Sequence, residues 1–539
     1  MLSRRELLIG GTAGAASLAA LSATGCGGPI MTTLVQGPNT YNLPVQFATL
    51  PIGGVTVRTR TYGGTIPGPT LVAAPGQPLT ITVNNQLPPN PSATPAPGID
   101  PLDNPHAFNS TNLHVHGLQV VPHIFDPIGT TNPSASIIAI APGTSLQYPF
   151  VLPSDHPSGL FWYHPHAHGS TDTQVSGGMA GLIIVKGPID QVPEIAAARD
   201  IPIAVQTLNL NRDPSTGMYT DEYLAYQQPS TPPGPTGGYT PRSADLFLLV
   251  NGQLVSHGSG FAFEQPTSGL WTASTPPQIQ MAPGEVVRLR ILNGANSLLL
   301  PLQLPGFAVY VIAVDGVNLL APYLVPASGN IPLAPGNRVE LLVQAPLTPL
   351  SNTLTALATG NLPGTDKSTH SWPAFSLMQF VVSGQPVSMS IPASLPTPTR
   401  EYPLLASNPG GQRNVTLNDL GSGSTILSGT DLTVNNLLYN EANVLFNLPV
   451  GTADTWTVTN EMTTEGHPFH IHTNSMQVTS VTGANPLIPL PYVADTVWIP
   501  PGGTIVFQIL YKQWRGKTVF HCHKLPHEDQ GMMANVMYV

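Results

Sequence analysis

Near its C-terminus the chain reads His521-Cys522-His523-Lys524-Leu525-Pro526-His527-Glu528-Asp529-Gln530-Gly531-Met532. Thiol, imidazole, carboxyl and thioether groups crowd into this one run. Extended backbone sends successive side chains to opposite faces. A strand over residues 520–524 therefore points Cys522 one way and His521 and His523 the other, so two metal centres can sit one residue apart. Cys522 with His527 and Met532 is the thiolate, imidazole and thioether set of a blue-copper site, where a weak axial ligand helps set the potential.

Three further stretches carry the same chemistry: Leu113-His114-Val115-His116-Gly117, Tyr163-His164-Pro165-His166-Ala167-His168-Gly169 and His467-Pro468-Phe469-His470-Ile471-His472. Each of the four stretches contains a His-x-His pair, and on a strand positions i and i+2 share a face. Four pairs give eight imidazoles, too many for one mononuclear site and suited to a multinuclear cluster. Neutral imidazole serves copper, zinc, iron and nickel alike; the Cys522, His527 and Met532 set selects copper. His467, offset by three from His470, can turn toward the Cys522 side. His106, His123, His156, His257 and His370 stand alone and read as structural or solvated.

The elements that must hold these groups are short strands. Of 539 residues, 60 are Pro and 52 Gly, and 41% are hydrophobic, a mixture that fits many turns between short β segments. The clearest strands are Leu79–Val83, Leu113–Val120, Leu146–Val151, Met179–Val185, Ile201–Leu208, Val286–Leu292, Val309–Val314, Val339–Val343, Trp456–Asn460, His470–Val478, Thr504–Tyr511 and Thr518–His521. No long stretch shows helical periodicity. Pro-Gly turns feed strands in each block: Ala141-Pro142-Gly143, Ala282-Pro283-Gly284 and Pro500-Pro501-Gly502. The length and this shared phrase predict three β-sandwich domains, 40–190, 200–384 and 401–539, with 385–400 as a linker. The first and last of these supply two pairs each, so the cluster is expected between them, where metal binding and docking stabilise each other.

Charged residues make up only 9% of the chain and the net charge is −10, which argues against a nucleic-acid partner. Sparse charge is also compatible with an acidic habitat. The two cysteines are Cys26 and Cys522, so no structural disulfide is expected. Residues 1–30 read as a leader: Arg4-Arg5 ahead of a weakly apolar Gly/Ala/Leu run is the pattern of a twin-arginine export signal. Ala23-Thr24-Gly25-Cys26 is an imperfect lipoprotein box, so Cys26 is a candidate lipid anchor. The protein is expected to be exported to a periplasmic or extracellular location and to be monomeric.

Taken together, the four stretches resemble the copper motifs of three-domain, laccase-like multicopper oxidases. The resemblance extends over residues 40–539 and includes Val250-Asn251-Gly252-Gln253 and Arg288-Leu289-Arg290-Ile291-Leu292-Asn293. It implies an all-β fold of three cupredoxin-like Greek-key β-sandwich domains and four copper ions. By motif, His467, Cys522, His527 and Met532 would bind the type 1 copper, and His114 and His470 the type 2 copper. His116, His164, His166, His472, His521 and His523 would hold the type 3 pair. Met533 is read as a core residue and His168 as a non-ligand.

The resemblance further implies one-electron oxidation of a reducing substrate, expected to be phenolic or aromatic, coupled to reduction of dioxygen to water. Electrons would pass through Cys522 and its flanking histidines. Oxygen reduction needs protons, and Glu528, in the family's His-Glu-Asp phrase, is the first candidate relay. The family's second acid follows the first His-x-His pair; here the pattern departs, and Asp126 is the candidate. A metallo-oxidase for Cu(I), Fe(II) or Mn(II) in metal tolerance is the alternative, although the 12 methionines are scattered. A non-enzymatic structural relative in the cell envelope is a further one, opposed by the complete ligand set.

Overall fold

A computed structural model describes residues 39–90, 106–221, 226–227, 240–241, 244–261, 266–402, 410–419 and 432–539. Residues 1–30, expected to be a leader, with Arg4, Arg5 and Cys26, lie outside them. The regular secondary structure of the described chain is almost wholly β-strand, as its short apolar runs between Gly and Pro predict.

In the first block, Thr40–Ile52, Val55–Tyr62, Pro78–Asn85 and Ser145–Val151 form one layer, and Gly68–Ala73, Gly181–Val185, Gly159–His164 and His114–His116 the other. Alternation explains the facing: in Pro78–Asn85, Leu79, Ile81 and Val83 are fully buried while the residues between them are partly exposed. The first layer continues into the middle block. Tyr219–Thr220 pairs in parallel with Val57–Arg58 and antiparallel with Asn211–Arg212, joining both blocks in a single 13-stranded sheet.

The middle block closes its sandwich with a five-stranded sheet that includes Phe375–Val382 and Leu350–Ala356. The last block packs a six-stranded sheet on a five-stranded one, and the latter carries His467–Ile471 and Gly516–Cys522. The apolar cores of the middle and last blocks merge into one cluster, whereas the first block has its own.

The Pro-Gly turns behave as predicted. Gly143, Gly284 and Gly502 have φ of 78°, 78° and 66°, a region that costs other residues strain. A fourth copy that sequence reading passed over, Ala334-Pro335-Gly336-Asn337, feeds the strand Arg338–Gln344, with Gly336 at φ 86°. The segment 385–400 contains no strand, and hydrogen bonds tie it to its surroundings. Leu395 N–H donates to Leu320 O, and Arg400 reaches Gln119 of the first block and Gln513 of the last.

Two strand expectations change. His470–Val478 is two strands, His467–Ile471 and Met476–Val481, and Leu113–Val120 shrinks to His114–His116 because Gly117, at φ 84°, turns the chain. Among the described residues no helix is long and apolar enough to cross a membrane. The α-helices among the described residues are three short turns, Thr171–Ser176, Pro193–Ala197 and Leu525–Asp529.

Candidate metal centres

Two strand pairs bring the histidine stretches together. His114–His116 lies antiparallel to Gly159–His164, with His114 opposite His164. His467–Ile471 lies antiparallel to Gly516–Cys522, with His470 opposite His521 and Phe469 opposite Cys522. The first and last blocks then meet ring on ring. His114 stacks on His472 and His116 on His470, each at 3.8 Å between centroids.

The His-x-His rule holds where the backbone is extended. Between His164 and His166 it cannot act alone, because the strand ends at His164. Asn112 supplies the missing support: its Oδ1 accepts from His166 N–H (2.6 Å) and its Nδ2 donates to His166 O (2.9 Å).

The buried imidazoles form three groups: His114, His116 and His470; His116, His164 and His523; and His166, His472 and His521. Within each, the nitrogens lie within 4.8 Å of one another. Hydrogen bonds fix which nitrogen faces inward. Nδ1 of His470 lies 2.8 Å from Asp495 O, and Nδ1 of His164 lies 2.8 Å from Pro165 O, which leaves each Nε2 facing the cluster. Nδ1 of His114 faces His123 Nε2 at 3.2 Å, so the isolated reading of His123 needs amending: it orients a cluster ring. His116 is reversed, with Nε2 on Asp495 Oδ1 (3.0 Å) and Nδ1 3.2 Å from His523 Nε2.

Nε2 of His114, His164 and His470 is buried without a hydrogen-bond partner. A buried polar atom left unmatched is costly, and three such lone pairs converging on one place fit metal ligation. Burial, reinforced by neighbouring imidazoles, lowers the pKa of His114, His166, His472, His521 and His523 well below 6.5, and that of His164 to about 3. The rings are therefore neutral at neutral pH, the form that binds metal.

Across the strand lies the second centre. Cys522 Sγ is 3.4 Å from His467 Nδ1 and 3.8 Å from His527 Nδ1, and the two nitrogens are 3.2 Å apart. All three residues are buried. His527 arrives on the Leu525–Asp529 helix, and Met532 follows it with its N–H donating to His527 O and its carbonyl accepting from Cys522 N–H. Met532 belongs to the same apolar cluster as Cys522, whereas Met533 packs with Phe125, Tyr439 and Val519.

Of the candidate acids, Glu528 is completely buried between His166 Nδ1 (3.3 Å) and His521 Nδ1 (3.4 Å), and accepts from Thr171 Oγ1. Burial and the adjacent Asp529 raise its pKa well above 4.5. Asp126 does not join it: the residue is exposed, with its N–H donating to Ser136 O. The carboxylate that meets the cluster from the other side is Asp495, which the sequence reading missed. The signal was available, since Asp495 is a lone acid in the apolar run Tyr492-Val493-Ala494-Asp495-Thr496-Val497-Trp498-Ile499. Burial alone would raise its pKa, but Arg338 and His116 outweigh burial and hold it well below the usual range. Lys524, bonded to Glu465 and Asp366 beside the sulfur centre, was also missed.

The chain is similar to proteins already known. Models of the multicopper oxidase family match residues 102–189, 221–367 and 412–539. A multicopper oxidase (mco) of Staphylococcus haemolyticus is 25% identical over 89% of this chain and 83% of its own length. A laccase of Bacillus stratosphericus is 25% identical over 88% of this chain and 89% of its own. The solved multicopper oxidase of Campylobacter jejuni, described as a metallo-oxidase, superposes with a TM-score of 0.67 at 20% identity, covering 95% of this chain and 94% of that one. With its histidine cluster formed between the first and last of its cupredoxin-like sandwiches and its sulfur centre within the last, the chain belongs to the multicopper oxidase family, copper oxidoreductases that hold four copper ions as a type 1 centre, a type 2 ion and a type 3 pair.

Proposed function

We propose that this protein is a laccase-like oxidase coupling one-electron oxidation of a phenolic or aromatic donor to four-electron reduction of dioxygen to water. The supporting observation is the complete set of buried ligand side chains. His467, Cys522, His527 and Met532 would hold the type 1 copper. His114 and His470 make the type 2 site, and His116, His164, His166, His472, His521 and His523 the type 3 pair.

Copper bound at these sites supplies the one-electron couples of the reaction. The chain supplies the rest. Cys522 and its neighbours His521 and His523 join the two centres through a few covalent bonds. Glu528, against His166 and His521 of one type 3 group, holds a proton beside the cluster; the exposed Asp126 does not reach it, and Asp495 is the carboxylate on the cluster's other side. Surrounding apolar residues exclude water from Cys522, which is fully buried.

A metallo-oxidase is the second reading, and one observation favours it. His467 Nε2, on the side away from Cys522, lies 3.0 Å from the half-buried Met462 Sδ, and His527 Nε2 lies 3.4 Å from Glu465 Oε1. A soft thioether and a carboxylate beside the donor-side rings suit a metal-ion donor. Export through the Arg4-Arg5 leader, a lipid anchor at Cys26, the domain limits given above and a monomeric state complete the reading.

The test is copper reconstitution followed by oxygen uptake with phenols, Cu(I), Fe(II) and Mn(II) in parallel. Uptake driven by phenols supports the laccase-like reading, and uptake driven only by metal ions replaces it with the second. Cys522→Ser should abolish the blue absorption and donor oxidation together; survival of both would refute the ligand assignment.

A further inference from the structure

Among the described residues the middle sandwich contributes no histidine to either centre, yet its turn Ala334–Asn337 presses against the histidine cluster. A Cβ placed on Gly336 would lie 3.0 Å from a ring atom of His523 and 3.1 Å from one of His116. The next residues leave the turn as the strand Arg338–Gln344, and Arg338 is fully buried.

Its guanidinium is the meeting point of all three blocks. Nη1 and Nη2 grip the two oxygens of Asp495 at 2.8 and 2.6 Å, in the last block. Nε donates to Leu160 O, in the first block, at 3.2 Å. Asp315, from the middle block, accepts from the backbone N–H groups of Arg338, Asp495 and Thr496. A planar five-donor fork is the only side chain able to make this bidentate grip while bonding a third group.

What Arg338 holds, Asp495 transmits. Asp495 Oδ1 receives His116 Nε2 and Thr496 Oγ1, and Thr496 Oγ1 also lies 3.2 Å from His470 Nδ1. Space around this junction is closed: a Cβ on Gly117 would fall 2.2 Å from Arg338 Nη2 and 2.4 Å from Asp495 Oδ2.

We infer that Arg338 is a positioning residue for the trinuclear cluster, by which the ligand-free middle sandwich fixes the orientation of His116 and His470 through Asp495 and Thr496. The inference rests on the ligand assignment proposed above. The type 2 ion has only two imidazoles from the chain, His114 and His470, so it depends most on this fixation. Partners one step beyond the ligands govern affinity in this way because they set ring orientation.

The test compares the copper-loaded wild-type protein with Arg338→Met and Arg338→Lys. Lysine keeps a buried positive charge but cannot grip both Asp495 oxygens and Leu160 O together. Copper per chain is measured directly, with the type 2 electron paramagnetic resonance signal and the blue absorption recorded on the same samples. The expected result is retention of the blue band per chain, loss of about one copper from four in Arg338→Met, and a weakened or shifted type 2 signal in Arg338→Lys. Should Arg338→Met fail to fold, Arg338→Lys alone decides. Wild-type copper content and an unchanged type 2 signal in the variants would overturn the inference. A wild-type protein that cannot be loaded with four coppers would instead overturn the ligand assignment.

Discussion

His116 and Asp495 stand 379 residues apart in the chain, and in the folded molecule Nε2 of the ring lies 3.0 Å from Oδ1 of the carboxylate. This contact reverses His116 relative to His164 and His470, whose Nδ1 atoms face outward. The carboxylate also binds Arg338, so a protein-wide ion pair stands behind one ring of the cluster. Asp495→Asn keeps the shape but weakens the acceptor for His116 and breaks the charge match with Arg338. Oxygen uptake at saturating donor should fall about 10- to 100-fold, the usual effect of losing such a partner, while the blue absorption stays. Unchanged turnover would show that Asp495 serves only docking.

Glu528 touches His166 and His521 and is enclosed by Thr171 and the carboxylate-rich segment around Asp529. Burial raises its pKa first, and the charge of Asp529 adds to it, so the carboxyl keeps its proton into a range where a carboxylate would ordinarily have lost it. Glu528→Gln preserves size and removes the ionisable proton. The expectation is a loss of about 100-fold in oxygen reduction, with the blue band unaltered and reduction of the type 1 copper by donor still fast. A turnover that matched wild type across pH would exclude a relay at this position.

How much of this could be read from residue order alone is shown by the contrast between His470 and Asp126. His470 was legible because a two-residue period fixes its face relative to His472, and because Cys522 leaves little doubt about the metal. Asp126 was chosen for its nearness in sequence to His116, and sequence nearness is not spatial nearness once Gly117 turns the chain at φ 84°. His123, not Asp126, folds back onto His114, with ring centroids 5.3 Å apart. Arg338 and Asp495 were invisible for the same reason in reverse: their pairing is 157 residues long and joins the middle sandwich to the last. The helix Leu525–Asp529 spans 5 residues, too few to show a helical period, yet it is what carries His527 back to the sulfur of Cys522.

Beside that sulfur, Lys524 sits as a buried cation between Glu465 (2.5 Å) and Asp366 (3.3 Å), and its own N–H donates to Cys522 Sγ. Burial would depress the ammonium, but the two carboxylates outweigh it and hold the pKa above the usual lysine value. Replacing it by leucine leaves two buried acids without a counter-ion, a change that typically costs about 3–5 kcal/mol. Lys524→Leu should therefore lower the midpoint of urea unfolding markedly. Adding Glu465→Gln should recover part of the loss, and the two effects should not add. Additive effects would mean that the three groups do not act as a unit.

His156 gives the clearest pH prediction because it lies outside the ligand set. It is buried, accepts Gln119 N–H at Nε2 (3.0 Å) and donates from Nδ1 to Pro157 O (2.8 Å). Both nitrogens are used by the neutral ring, so protonation would cost the Gln119 bond. Burial is the first cause that lowers its pKa, to about 4, with Arg400 and Lys512 also lowering it against opposing contributions from Pro157 O and Glu401. Since the unfolded ring takes up its proton near 6.5, its contribution to stability is whole above that pH and is lost as pH falls from about 6.5 to about 4, on the order of 3 kcal/mol. Thermal unfolding of the protein should accordingly peak near neutral pH and decline in acid. His156→Gln should be less stable at pH 7.5 and show a shallower decline. A wild-type midpoint that rose below pH 5 would support the acidic-habitat expectation drawn from the sparse charge.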